Sequence, residues 1–169
     1  MKYAYEPYTH GRIRLRLLTE ADLPATLEWR NRDGAREQFK NSDLLAYEQH
    51  HGWFVRYSEK SDDLVFIAEL AATGERVGQV AIYAIDRGAR TAEIGRFVAS
   101  PEFLGQGVMK EAISVLMRFA ASELSLAAVY LDVLESNERA CRLYEKLGFE
   151  ERGRADGLIR MDRRINGYL

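Results

Sequence analysis

Asn137-Glu138-Arg139-Ala140-Cys141-Arg142-Leu143-Tyr144-Glu145-Lys146-Leu147-Gly148-Phe149 is the stretch of this 169-residue chain from which its fold reads most directly. Ala140, Leu143, Tyr144 and Leu147 recur at three- and four-residue steps, which places them on one face of a helix. Ser136-Asn137 precedes that helix, and Gly148 stands where a left-handed C-cap is expected. Phe149 to Arg154 and Leu158 to Ile165 then flank Asp156-Gly157, which signals a β-hairpin.

Moving toward the N-terminus, Val129, Leu131 and Val133 alternate as in a strand. Before them Met109, Ala112, Ile113, Leu116, Phe119 and Ala120 mark one face of a helix that runs to about Glu123. Three runs rich in Val, Ile, Phe and Tyr come earlier: Leu64 to Leu70, Arg76 to Ile85 and Thr91 to Ala99. The short turns between them imply an antiparallel meander. Arg12 to Leu18 alternates like a half-buried strand, Thr19 and Asp22 offer a helix start before Leu23, Leu27 and Arg30, and a second helix is expected over Tyr47 to Tyr57. Strand, helix, strand from Thr91 to Leu134 requires a parallel crossover, so the sheet is mixed and the class is α/β (α+β).

A hydrophobic fraction of 47% over this length fits one domain covering 1–169. The formal charge of −2 gives no general attraction to nucleic acid or to an anionic membrane. Cys141 is the single cysteine, the first ten residues lack the apolar run of a secretory signal, and a mean hydropathy of −0.33 suits no bilayer span, so a cytoplasmic location is expected. Three histidines and one cysteine, without zinc spacing, argue against a metal site.

Phe103-Leu104-Gly105-Gln106-Gly107-Val108-Met109-Lys110 lies between a strand and the strongly periodic helix. Its amides therefore sit at the positive end of that helix, where an anion binds. Gly105 and Gly107 let the backbone approach a diphosphate, and Lys110 adds a cation one turn in. Taken alone, the segment also reads as a turn that needs positive φ. No Gly-x-x-x-x-Gly-Lys-Ser/Thr occurs, and Lys110 replaces the third glycine of a dinucleotide fingerprint, which excludes both sharper phosphate motifs.

Together, these two segments resemble the cofactor motifs of the GNAT superfamily of N-acetyltransferases. The second, Asn-x-x-Ala-x-x-Leu-Tyr-x-Lys-x-Gly-Phe, is complete from Asn137 to Phe149. The first, Gln/Arg-x-x-Gly-x-Gly/Ala, is partial, with Leu104 and Met109 at its outer positions. The resemblance implies a mixed, mostly antiparallel sheet of six to seven strands, flanked by about four helices and splayed between the fourth and fifth strands. It also implies acetyl-CoA as co-substrate, held by backbone near Phe97 and Val98, by Leu104, Gly105, Gln106, Gly107, Val108, Met109 and Lys110, and by Asn137. Tyr144 matches the family's general acid. Glu93 matches a carboxylate that serves as base in some relatives; His50, His51 and water stay open for that role, as does a solvated strand charge for Glu93. A relay of the acetyl group through Cys141 is the less economical route.

The run Glu28-Trp29-Arg30-Asn31, Phe39-Lys40-Asn41-Ser42 and Glu48 to Phe54 is similar to the GNAT branch that acetylates the 4-amino group of nucleotide-linked amino sugars in pseudaminic-acid-type synthesis. On that likeness Arg30, Asn31, Lys40 and His50 are expected at the acceptor site. A protein N-terminal amine, a polyamine or an antibiotic amine are alternatives, and a non-catalytic acyl-CoA sensor is the alternative of another class. The resemblance also allows a homodimer.

Overall fold

The computed structural model describes residues 5–39 and 42–167. Eight strands form one sheet in the order β1-β2-β3-β4-β5-β6-β8-β7. They are β1 (Tyr8–His10), β2 (Ile13–Leu17), β3 (Leu64–Leu70), β4 (Arg76–Asp86), β5 (Thr91–Ala99), β6 (Ala128–Leu134), β7 (Glu150–Ala155) and β8 (Leu158–Arg164). Every neighbouring pair is antiparallel except β5–β6, where the crossover helix forces parallel pairing. The sheet has one strand more than the sequence suggests, because three residues at Tyr8–His10 are too few to display a period.

Four helices cover the two faces: α1 (Leu23–Asn31), α2 (Tyr47–Ser58), α3 (Val108–Ser122) and α4 (Glu138–Lys146). Strand β3 is buried on both sides. Its Leu64, Phe66 and Ala68 join the core beneath α3 and α4, while Val65 and Ile67 join Leu23, Trp29 and Tyr57 beneath α1 and α2. This double burial explains why β3 reads as a continuous apolar run instead of an alternation.

The arginines that alternate along β2 are not simply solvated. Arg16 forks onto Asp22 at 2.8 and 2.9 Å and reaches Glu69 at 3.1 Å, while Arg14 reaches Glu69 at 2.7 Å. Asp22 also accepts from the Thr19 backbone N–H at 2.9 Å, so the first turn leading into α1 is pinned to the sheet. Burial by itself would raise the Asp22 pKa, but the hydrogen bonds from Arg16 and Thr19 outweigh it and hold the carboxyl below its usual range.

Where α3 meets the sheet, a larger side chain replaces the expected small one, and the sheet makes room. A Cβ on Gly78 of β4 would lie 2.6 Å from the Met109 sulfur and 2.7 Å from the Val98 carbonyl oxygen. The bare glycine thus accommodates Met109 at the position where the family motif has Gly or Ala. We expect Gly78→Ala to cost about 1–3 kcal/mol by overpacking, read as a lower urea midpoint at constant m-value; an unmoved midpoint would show that Met109 and β5 yield freely.

Candidate active site

Strands β5 and β6 pair only at Thr91–Ala128, Ala92–Val129 and Glu93–Tyr130. Beyond that point β5 continues to Ala99 and β6 to Leu134 without pairing each other. A β-bulge helps to part them: Gln79 and Ala81 of β4 face Val98 and Gly95, so one extra residue is inserted on β5 around Arg96-Phe97, and Arg96 takes φ +54°. Bulges bend a strand and leave backbone groups outside the ladder. The result is a cleft of about 540 Å³ lined by Glu93, Gly95 and Phe97 from β5, Leu131 and Val133 from β6, and Tyr144 from α4.

Tyr144 is positioned by the end of its own helix. The Phe149 N–H donates to the Tyr144 carbonyl and the Gly148 N–H to that of Glu145, each at 3.0 Å, with Gly148 at φ +92°. This double closure is a Schellman motif, and the Phe149 ring packs 6.0 Å from that of Tyr144 as its apolar clasp. Phe97 flanks the other side at 6.0 Å. The residue is only 9% exposed, yet it lines the cleft and its hydroxyl makes no hydrogen bond among the described residues. Burial, with Cys141 nearby, pushes the phenol pKa up, so the hydroxyl keeps its proton at neutral pH.

On β5 Glu93 accepts a 3.4 Å hydrogen bond from Tyr83, whose own pKa is raised by burial and by that carboxylate. Arg96 lies 4.1 Å over the Tyr83 ring and is tied to the buried Asp63 at 2.7 Å.

Adjacent to the cleft is a groove of about 580 Å³ between the start of α3 and α4. Gly105 and Gly107 have φ of +77° and +73°, conformations that any side chain would strain, and Gly107 is the residue before α3. The first bond along the helix runs from the Glu111 N–H to the Gly107 carbonyl, so the amides of Val108, Met109 and Lys110 have no helical acceptor. Leu104, 53% exposed, and Lys110 also line the groove, whereas Gln106 turns its side chain back to the Glu102 carbonyl at 3.1 Å. Val98 faces the α1–α2 side instead of the cleft. Asn137 lines both groove and cleft, and its side chain caps α4 by accepting the Ala140 N–H at 3.1 Å. Arg139, Arg142 and Lys146 add three cations on the α4 wall that sequence reading passed over. Their spacing of three and four residues on one helical face was the available signal.

A third cavity, of about 380 Å³, shares Arg30, Phe39 and Arg96 with the cleft and extends under α1 and α2. Arg30 reaches the Asp43 carbonyl at 3.1 Å and stacks over Phe39. His50 is buried in the cavity wall, 2.9 Å from the Thr26 hydroxyl and stacked on Trp53. Burial, and then the Arg30 charge, lower its pKa, so it stands there as a neutral ring. Asn31, expected at the acceptor site, bonds the Leu45 carbonyl at 2.8 Å and the Leu45 N–H at 2.9 Å through its side-chain amide, which ties down the approach to α2, and it lines none of these three cavities. Lys40 lies outside the described residues. His51 pairs with Glu20 at 2.6 Å, away from the cleft.

A parted parallel pair, a largely buried tyrosine lining the gap and a helix mouth beside it form a frame suited to acyl transfer. The chain belongs to the GNAT acetyltransferase family: the family model described as "Acetyltransferase (GNAT) domain" matches residues 12–150. It is 27% identical over 147 residues to spermidine N(1)-acetyltransferase of Escherichia coli K12, covering 87% of this chain and 77% of that one. It is 28% identical over 167 residues to aminoglycoside N(6')-acetyltransferase type 1 of Klebsiella pneumoniae, covering 90% and 81%. The fold is that of spermidine N-acetyltransferase from Vibrio cholerae, solved in complex with CoA and spermine, at a TM-score of 0.82 and 23% identity over 94% of this chain and 99% of that one. Among the described residues no helix is long and apolar enough to cross a membrane.

The His50 environment carries a stability consequence. Its folded pKa lies below the ordinary 6.5, so its contribution is fully present above that value and is lost as pH falls through the folded pKa. Wild type should therefore lose stability on acidification from neutral pH more steeply than His50→Gln, measured by urea unfolding across that window; parallel pH profiles would contradict the buried neutral ring.

Proposed function

We propose that this N-acetyltransferase moves the acetyl group of acetyl-CoA to a primary amine of a small molecule, by direct attack within a ternary complex. One observation carries the reading: Tyr144, its residue largely buried but its hydroxyl without a partner among the described residues, lines the cleft where β5 and β6 part. The groove beside it fits the co-substrate, because unpaired amides at the mouth of α3 together with Lys110, Arg139, Arg142 and Lys146 suit a diphosphate and a further phosphate. When bound, acetyl-CoA supplies an activated acyl group and a thiolate leaving group.

The chain's own residues supply the proton chemistry. Tyr144, with its raised pKa, holds the proton that a departing thiolate needs. Glu93, backed by Tyr83, is the carboxylate in reach of an amine entering the same cleft and serves as its proton acceptor, directly or through water. Peptide groups at the Arg96-Phe97 bulge orient the acyl carbonyl. Arg30 and the neutral His50 line the acceptor side, and Asn137 faces the point where cleft and groove meet.

For the acceptor, relatives named for spermidine and for aminoglycosides favour a free small amine over the nucleotide-linked amino sugar suggested by the Arg30-to-Phe54 segment. The amino-sugar expectation is corrected accordingly, since aromatic and basic residues in that segment serve the core and loop ties as much as any nucleotide.

With acetyl-CoA at saturation the protein should melt at higher temperature, and thiol release should follow addition of a small amine. Tyr144→Phe should lower kcat by roughly 100-fold while leaving the KM for acetyl-CoA little changed. Full turnover by that variant on a working substrate would remove Tyr144 from the chemistry.

A further inference from the structure

The acceptor side of the site has an uneven charge. Arg30, Arg56 and Arg96 line the cavity beneath α1 and α2 together with the aromatic rings of Phe39 and Trp53, and among the described residues no carboxylate lines it. The acids that line the neighbouring cleft are Glu93 and Asp132. Asp132 is engaged by Arg160 at 2.6 and 3.2 Å, which leaves Glu93 as the carboxylate available to an amine.

The three arginines differ in how far they are already neutralised. Arg96 is paired with Asp63, and Arg30 is influenced by Asp43; neither acid lines the cavity. Arg56, one turn past Trp53 on α2, is exposed and forms no ion pair among the described residues. His50 in the same wall is held neutral and adds no charge of its own.

A polycation such as spermidine meets the wrong sign here. An amine whose far end is anionic would meet a matching charge in each of the two adjoining spaces: its nitrogen toward Glu93, its oxyanion toward Arg56 and Arg30, its carbon chain along Phe39 and Trp53. Like charges brought together in a part-desolvated cavity are strongly disfavoured, whereas an arginine fork matches carboxylate and phosphate oxygens.

We infer that the acceptor is an amphoteric small molecule, an amine carrying a carboxylate or phosphate that is bound by the Arg30–Arg56–Arg96 cavity. This deepens the small-amine reading and rests on it. The experiment is calorimetric titration of the protein saturated with CoA, which fills the phosphate-binding groove, using γ-aminobutyrate, phosphoethanolamine, putrescine and spermidine, in wild type and in Arg56→Glu. Thermal melts of the variant control for folding.

The expected result is binding of γ-aminobutyrate or phosphoethanolamine roughly tenfold or more tighter than of either polyamine, with the preference lost or inverted in Arg56→Glu. Comparing the two anionic amines separates carboxylate from phosphate recognition. Equal or tighter binding of the polyamines, no binding of either anionic amine, or a preference untouched by Arg56→Glu would each overturn the inference. Failure of CoA itself to bind would instead strike the acetyltransfer reading, so the two failures are distinguishable.

Discussion

The site exists because two parallel strands stop pairing. Up to Glu93 and Tyr130 the ladder between β5 and β6 is intact, and past that pair the backbone groups facing the gap lack each other as partners. Unpaired backbone groups inside a protein are costly unless something satisfies them. The extra residue at Arg96-Phe97 bends β5 and makes the separation a property of the sheet, with an opening sized for a small ligand. A strand-like ligand arm laid in that gap would complete the missing hydrogen bonds.

The parting of the strands also decides what each helix can contribute. Helix α3 begins beside the end of β5, so its unsatisfied amides face the groove, and α4 packs where β6 ends, so Tyr144 reaches into the cleft. The Schellman closure at Gly148 and Phe149 holds that ring from behind, and the missing Cβ of Gly78 lets Met109 seat α3 against β4 despite its bulk. Local backbone choices some distance from the cleft thereby fix the relation between Tyr144 and the turn before α3.

Charge is distributed with equal economy. The acids that pair with β2 arginines, Asp22 and Glu69, are buried in a structural network and contribute nothing to the site. The cations Arg30, Arg56 and Arg96 gather in one cavity while Glu93 stands in the next, so opposite charges occupy two adjoining spaces. A formal charge near neutrality conceals this separation completely.

Most of the architecture was legible in the chain because periodicity reports burial directly: alternation at Arg12–Leu18 and Val129–Val133, helical spacing at Met109–Ala120, and the Asn137–Phe149 motif with its glycine cap. The strand Tyr8–His10 was too short to show a period. Glycines at 105 and 107 marked the turn before α3, because left-handed backbone leaves a signature in residue type. The roles of Asn31 as a loop tie, of His50 as a buried neutral ring, and of Arg56 and Arg96 as cavity walls belong to tertiary structure alone. Each depends on groups brought together from distant segments, and neither spacing nor composition records which partner a polar side chain will meet.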